Sequence, residues 1–351
     1  MRLEPPGWWH GTSPADRLTA ALLAPAGWLY GTAAQARFGL AKPYRSRLPV
    51  ICVGNFTVGG AGKTPLALAL AEIVRGIGHR PAFLTRGYGG SLAGPHQVDP
   101  ERDSAAEVGD EALLLARAAP TVLARNRPAG AKAIEALDAS LIIMDDGFQN
   151  PSLEKDVAVI AIDAGSGFGN GLVFPAGPLR APLSAQRERA SIAVLIGEGG
   201  GKAAAALVGA LPVLKARLAP TADVQWLRGA RVVGFSGIGR PGKFFDSLRQ
   251  CGAQLLAAEP FPDHHAFTDA EALALVTRAA ALDAILVTTE KDWVRIAATS
   301  RALEELKGRA RTLPVQLAFA GRGEARLRDF IIIRLNRRSG NHAFAGISHS
   351  A

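Results

Sequence analysis

The chain has little cysteine, few aromatic residues and fewer acidic than basic side chains. Its two cysteines among 351 residues, Cys52 and Cys251, show no metal-ligand spacing and cannot staple a chain of this size. Cys52 falls in an apolar run, where a free thiol behaves as a small hydrophobe. A reducing cytoplasm is the expected compartment. Only 6% of residues are aromatic, and no basic run is interleaved with stacking rings, which argues against nucleic acid as a partner. A formal net charge of +9 calls instead for an anionic partner, either a phosphorylated substrate or an anionic membrane surface. No cleavable signal peptide is expected, because the basic start is thin, Glu4 comes early and Pro25 splits the apolar stretch.

Hydrophobic residues make up 48% of the chain, enough for a large core. The length suggests two domains, and the alanine, glycine and proline content favours an α/β protein with short loops.

Near the N-terminus "SPAD" (Ser13–Asp16) reads as a helix start, with Ser13 as cap, Pro14 at the first helical position and Asp16 three residues after the cap. From Leu18 to Gln35 no charge occurs. Trp8, Trp9, Trp28 and Tyr30 flank or interrupt this stretch, and Arg37, Lys42, Arg45 and Arg47 follow it. About 20 residues suffice to span a bilayer, but Pro25, Gly27, Gly31 and two threonines make the segment weakly hydrophobic. A helix lying in the interface and a helix packed on the protein are the better readings.

"PVICVGN" (Pro49–Asn55) is a β-branched run of the buried parallel-strand type. It leads into "VGGAGKTPLALALA" (Val58–Ala71), a glycine turn, then Gly-Lys-Thr, then an apolar helical stripe. This is the phosphate-loop context. Backbone N–H groups from Gly59, Gly60, Ala61 and Gly62 to Lys63 can point at phosphate oxygens, aided by the helix N-terminus. Lys63 can reach the outer phosphates and the Thr64 hydroxyl can ligate Mg²⁺. Thr57 stands where the strict consensus has glycine. "LIIMDDGFQN" (Leu141–Asn150) supplies an apolar strand closed by Asp145 and Asp146, the arrangement expected of a metal and water site at a strand end. If the strand continues, the two carboxylates face opposite sides, one toward the metal and one toward substrate or lysine.

Three further stretches offer groups to handle an acceptor. "EVGDEALLLARAA" places Asp110 at the mouth of a helix, where capping is the plainer role. "FPDHHAFTDAEALALV" puts Asp263, His264 and His265 in a loop, a setting in which histidines are usually solvated. "LTRGYGG" (Leu84–Gly90) presents Arg86 and Tyr88 on a glycine turn, as anion contacts or as a mobile loop.

Taken in order, "VGNFTVGGAGKTP", "LTRGYGG", "GDEALLLA", "MDDGFQN", "PAGPLRAP", "FSGIGRPGKFFDSL", "FPDHHAFT" and "TTEKDWVR" resemble the tetraacyldisaccharide 4'-kinase family, the lipid A 4'-kinases of Gram-negative bacteria. The resemblance runs from about Ser13 to about Phe319. It implies ATP- and Mg²⁺-dependent phosphorylation of the 4'-hydroxyl of an acylated disaccharide 1-phosphate, giving lipid IV-A for lipopolysaccharide. It also implies a place at the cytoplasmic face of the inner membrane. Carried over, Lys63 and Thr64 look like the phosphate and metal contacts, Asp145 and Asp146 like the metal-site acids, and Asp110 with His264 like the catalytic pair. Arg127, Gln149 and Arg180 look like site or hinge residues. Ala61 departs from a position where a hydroxyl residue is common. A substrate anchored by acyl chains favours the interfacial reading of the N-terminal helix.

The expected organisation is an amphipathic interface segment (1–48), a phosphate-loop core (49–156), a second, smaller α/β domain (157–330) and a disordered basic tail (331–351). Strands are predicted at Val157–Asp163, Ile192–Ile196, Arg231–Phe235 and Ala284–Thr289, with helices near Lys243–Cys251 and Asp269–Ala281. The competing function is a membrane-associated P-loop ATPase or switch with no organic phosphoryl acceptor. Val58 occupies the place of the signature lysine of one such class.

Overall fold

A computed structural model describes residues 6–199, 201–207 and 211–345. The strands are β1 (Val50–Gly54), β2 (Pro81–Thr85), β3 (His96–Gln97), β4 (Thr121–Leu123), β5 (Leu141–Met144), β6 (Val157–Asp163), β7 (Ile192–Ile196), β8 (Val213–Pro220), β9 (Arg231–Ser236), β10 (Gln254–Pro260), β11 (Ile285–Thr289), β12 (Arg311–Leu313) and β13 (Val315–Phe319). The α-helices are α1 (Pro14–Leu40), α2 (Lys63–Arg75), α3 (Ala105–Val108), α4 (Asp110–Ala118), α5 (Arg127–Glu135), α6 (Leu183–Arg189), α7 (Gly201–Ala205), α8 (Pro241–Gln250), α9 (Asp269–Ala281), α10 (Glu290–Arg295), α11 (Arg301–Arg309) and α12 (Gly323–Ala345).

A nine-stranded sheet runs in the order β13-β8-β7-β6-β1-β5-β2-β4-β3, parallel through its centre with β13 and β3 antiparallel at the edges. Every residue of β1, β2, β5 and β7 is buried. Such continuous apolar runs need cover on both faces. Leu66, Leu70 and Val74 of α2, with Leu327 and Ile331 of α12, cover one face. Phe56, Phe148 and Ile134 lie under the other.

The second sheet, β10-β9-β11-β12, is parallel throughout. Helix α8 packs through Phe244, Phe245 and Leu248 in one core cluster, while α9 and α11 contribute to another. The four predicted strands and two predicted helices form where expected, but the division at residue 157 is corrected. Strands β6 and β7 belong to the large sheet, with Ile51 opposite Val157 and Val53 opposite Val159. The smaller sheet begins only at β9, and the chain returns to the large one at β13. Apolar strands such as "VAVIAID" must be paired on both edges. Which sheet supplies the partners is a non-local matter that strand–helix alternation cannot reveal.

The tail expectation is also corrected. Residues 331–345 continue α12, and 346–351 lie outside the described residues. Arg338 anchors this helix through an ion pair with Asp156 and a hydrogen bond to the Arg47 carbonyl.

Helix α1 starts with the expected reciprocal cap, Asp16 N–H donating to Ser13 Oγ at 3.1 Å and Ser13 N–H to Asp16 Oδ2 at 3.2 Å. Its faces are not those of an ordinary amphipathic helix. The small residues Ala20, Gly27 and Gly31 turn inward, and a Cβ on Gly27 would meet the Val173 carbonyl at 2.7 Å. Leu18, Leu22, Trp28, Leu29 and Leu40 face outward. Among the described residues no helix is long and apolar enough to cross a membrane.

Candidate active site

At the carboxyl end of β1 the chain enters the glycine turn. The buried Asn55 donates its side-chain amide to the carbonyls of Thr57 at 2.7 Å and Gly59 at 3.1 Å, folding the turn on itself. Gly62 caps α2 at φ 79°, a left-handed conformation that strains any other residue, and a Cβ there would also sit 2.9 Å from Ile196 Cδ1. Thr57 needs no glycine because its backbone is not left-handed; it forms an antiparallel bridge with Leu179. Val58 N–H donates to the Pro178 carbonyl at 2.8 Å. The turn thus leans on the "GPLR" segment.

Arg180 and Gln149 reinforce that support. Arg180 Nε donates to the Thr57 carbonyl at 3.0 Å, and Gln149 Nε2 to the Asn55 carbonyl at 3.3 Å and Gln186 Oε1 at 2.6 Å. Thr64 is buried at the start of α2. Lys63 Nζ lies 3.5 Å from Asp146 Oδ1.

Asp145 and Asp146 diverge, for a reason other than strand alternation. The strand ends at Met144, Asp145 N–H still donates to the Leu84 carbonyl at 3.0 Å, and Asp146 turns away at φ 48°. Burial pushes the Asp145 carboxyl up to about 7, the neighbouring Asp146 charge adds to this, and Lys63 opposes it. Burial also acts on Asp146, but Lys63 and Arg180 outweigh it and hold that carboxyl below its ordinary value. Arg127 is buried at the head of α5, its Nη1 donating to the Ala124 carbonyl at 2.6 Å. Desolvation lowers its pKa against the pull of Asp145.

The second cluster is assembled from both sheets. Asp110 is the first residue of α4, not its cap, which is Gly109, and its Oδ1 accepts from the Glu111 N–H at 3.0 Å. The capping role expected from sequence is therefore replaced by a buried carboxylate facing the other unit. His264 Nδ1 lies 3.1 Å from Asp110 Oδ2. Tyr88, half-exposed, has its ring 6.3 Å from that of His264, while Arg86 is exposed beside it. His265 is engaged elsewhere, with Nε2 2.9 Å from both Glu271 oxygens and the ring stacked on Phe261.

Four residues of this cluster had no role assigned from the sequence, although they sit in two of the quoted motifs. Arg295 and Asp292 of "TTEKDWVR" bind one another at 2.8 Å, and Arg295 Nε donates to Asp110 Oδ2 at 2.8 Å. Lys291 Nζ pairs with Glu111 Oε1 at 2.6 Å. The alternating charges on a six-residue helix following a strand were the available signal. Burial acts to raise the Asp110 carboxyl, but side-chain hydrogen bonds with His264 and Glu111 and the charges of Lys291 and Arg295 together hold it far below the usual carboxylate range. The field at Asp145 includes Glu111 and Lys291, so the two clusters are electrostatic neighbours.

A parallel sheet whose first strand runs through a glycine turn into a Lys-Thr helix, beside a strand closed by two carboxylates, defines the P-loop class of nucleotide-handling proteins. The sequence model of the Tetraacyldisaccharide-1-P 4'-kinase (LpxK) family matches residues 19–336. The chain belongs to this family. It is 52% identical over 333 residues to the tetraacyldisaccharide 4'-kinase of Methylorubrum extorquens strain PA1, covering 93% of this chain and 97% of that one. It is 48% identical over 319 residues to the enzyme of the same name from Rhodospirillum centenum, covering 90% and 93% respectively. The crystal structure of the "apo" form of LpxK from Aquifex aeolicus in complex with ATP superposes with a TM-score of 0.71 at 26% identity, over 90% of this chain and 99% of that one.

Proposed function

We propose that the protein transfers the γ-phosphate of ATP to the 4'-hydroxyl of a tetraacyldisaccharide 1-phosphate at the cytoplasmic face of the inner membrane. The observation that carries this reading is the meeting of Asp110 and His264, carried by segments next to different sheets, in a family member whose Asp145 feels both Lys63 of the glycine turn and the Glu111–Lys291 pair of that cluster. The main-chain amides of residues 59–63 and the Lys63 ammonium would hold the triphosphate. The donor set also fits Mg²⁺. Asp145 Oδ1 is buried with no hydrogen-bond partner, and the Thr64 hydroxyl and Asp146 are hard oxygen donors nearby in the same site. When bound, the ion supplies charge neutralisation on the phosphate oxygens.

The protein's own groups orient the acceptor and manage its proton. The ionised Asp110 holds the His264 ring through Nδ1, and this pair accepts the proton of the attacking hydroxyl. Lys63 balances the negative charge on the transferred phosphoryl group, an interaction strengthened in a water-poor site. Tyr88, whose ring lies 6.3 Å from that of His264, and the exposed Arg86 offer contacts suited to an anionic sugar substrate. The outward leucines and Trp28 of α1, with Tyr30 in edge contact with Phe174, offer an apolar surface to lipid headgroups.

Incubation with γ-labelled ATP and the acylated disaccharide 1-phosphate in mixed micelles tests the proposal. Label on the lipid is expected. Label released only as inorganic phosphate would favour the ATPase or switch instead.

A further inference from the structure

We propose that Arg295 is the positioning residue that locks Asp110 and His264 into one geometry across the two sheets. The proposal rests on the reading of those two as the proton-accepting pair. The Arg295 guanidinium is almost fully buried and uses its whole fork. Nε and Nη2 both bond Asp110 Oδ2, Nη2 lies 3.2 Å from His264 Nδ1, and Nη1 donates to the Gly237 carbonyl at 2.6 Å and to Asp292 Oδ1 at 2.8 Å.

One edge of the fork is fixed before it reaches the site. Asp292 is fully buried and accepts from Ser236 Oγ at 2.9 Å, Thr289 Oγ1 at 2.7 Å and Gly237 N–H at 3.1 Å, which ties it to the carboxyl edge of the smaller sheet. The Gly237 carbonyl also accepts the His264 N–H at 3.0 Å, so the histidine backbone and the guanidinium share one anchor. The other edge of the fork crosses to α4 and grips Asp110.

A plain interdomain clamp would not need this arrangement. Contact of α10 with α3 and α4 already has the Lys291–Glu111 pair and an apolar cluster that gathers Val294 with Val108, Ala112 and Leu113. Burying a guanidinium between two carboxylates is a weak route to stability, since desolvation offsets much of the attraction. Its particular product is geometry, because a planar fork with five donors fixes several partners at once, where an ammonium cannot.

The charged groups around Asp110 are His264, Arg295, Glu111 and Lys291, with Asp263 3.7 Å from the far side of the imidazole. Removing the Arg295 cation raises the proton affinity of the carboxyl, so the acid limb of the kcat profile moves to higher pH. Lysine keeps the charge and leaves that limb in place.

The test compares full-length Arg295→Ala, Arg295→Lys and Asp110→Ala with the native protein, measuring kcat, both KM values, pH profile, affinity for a non-hydrolysable ATP analogue and rescue by guanidinium ion. For Arg295→Ala, kcat should fall about 10²-fold, the scale of a misplaced reacting group. Analogue affinity should hold, the acid limb should rise, and added guanidinium should restore part of the rate. Arg295→Lys should lose rate with a native acid limb and no rescue. Native-like kcat in either arginine variant overturns the proposal, as does a loss that follows weakened analogue binding with no pH shift and no rescue. If the alanine variant does not fold, the lysine variant decides: a lower kcat with native analogue affinity supports the proposal, and a native-like kcat or a loss that follows weakened analogue binding overturns it. A native-like Asp110→Ala would instead sink the reading of the pair itself, and the proposal with it.

Discussion

The two halves of the site are built in opposite ways. The phosphate turn is local: Asn55, Thr57, Gly59, Gly62, Lys63 and Thr64 lie within one strand–helix junction, folded by the Asn55 amide on its own carbonyls and braced from outside by Pro178 and Arg180. The Asp110 cluster is non-local, drawing on α4, the loop carrying His264 and helix α10, and held by buried charged side chains. A local device tolerates movement between the sheets, whereas a device shared between sheets depends on their registration. Binding of nucleotide and transfer of phosphate should therefore be separable by mutation.

The sharpest break on the local side is Lys63→Ala, expected to cut kcat by about 10³-fold or more and to weaken ATP binding, both measurable on one preparation. On the shared side, Gly237→Ala would place a methyl 2.8 Å from the Pro262 carbonyl and 3.1 Å from His265 Cβ, displacing the histidine loop. Turnover should fall by roughly 10²-fold with ATP affinity intact. A parallel loss of both would merge the two halves.

Paired Leu22→Glu and Trp28→Glu substitutions on the outer face of α1 should lower recovery on anionic vesicles by about tenfold or more, given roughly 1.5–3 kcal/mol for each large apolar side chain removed from water. Activity toward detergent-dispersed substrate should change little, which flotation and assay together would check.

The smallest effect is on stability. The Asp145 carboxyl is raised in the folded protein from 3.8 to about 7, so the folded state binds more protons than the unfolded chain between those values. In chelator, stability should fall as pH rises through that window and level off above it. Asp145→Asn should flatten this slope in denaturant titrations. An unchanged slope would place the carboxyl in a less costly environment than its burial implies.

The same contrast explains what could be read in advance. The glycine turn, the Lys-Thr helix start and the Asp-Asp strand end carry their chemistry in consecutive residues. The strands after residue 157 could be recognised as strands but not assigned to a sheet, because β6 finds its partner β1 far away in sequence. Asp110 could be read as a cap because only the fold brings Arg295 and His264 to its carboxylate. Arg295 itself lay inside a quoted motif, yet nothing local tells a buried arginine from a solvated one. The interfacial reading of α1 was available from its uncharged run and aromatics, but which face turns outward depends on the small residues Ala20, Gly27 and Gly31 that pack inward.

The claim that one cluster holds the nucleotide while the other activates the acceptor is tested most directly by a single turnover of Asp110→Ala. The variant would be loaded with γ-labelled ATP and mixed with the acylated disaccharide. The account predicts native nucleotide affinity, with label moving to lipid about 10²–10⁴-fold more slowly than in the native protein. Transfer at the native rate would contradict it.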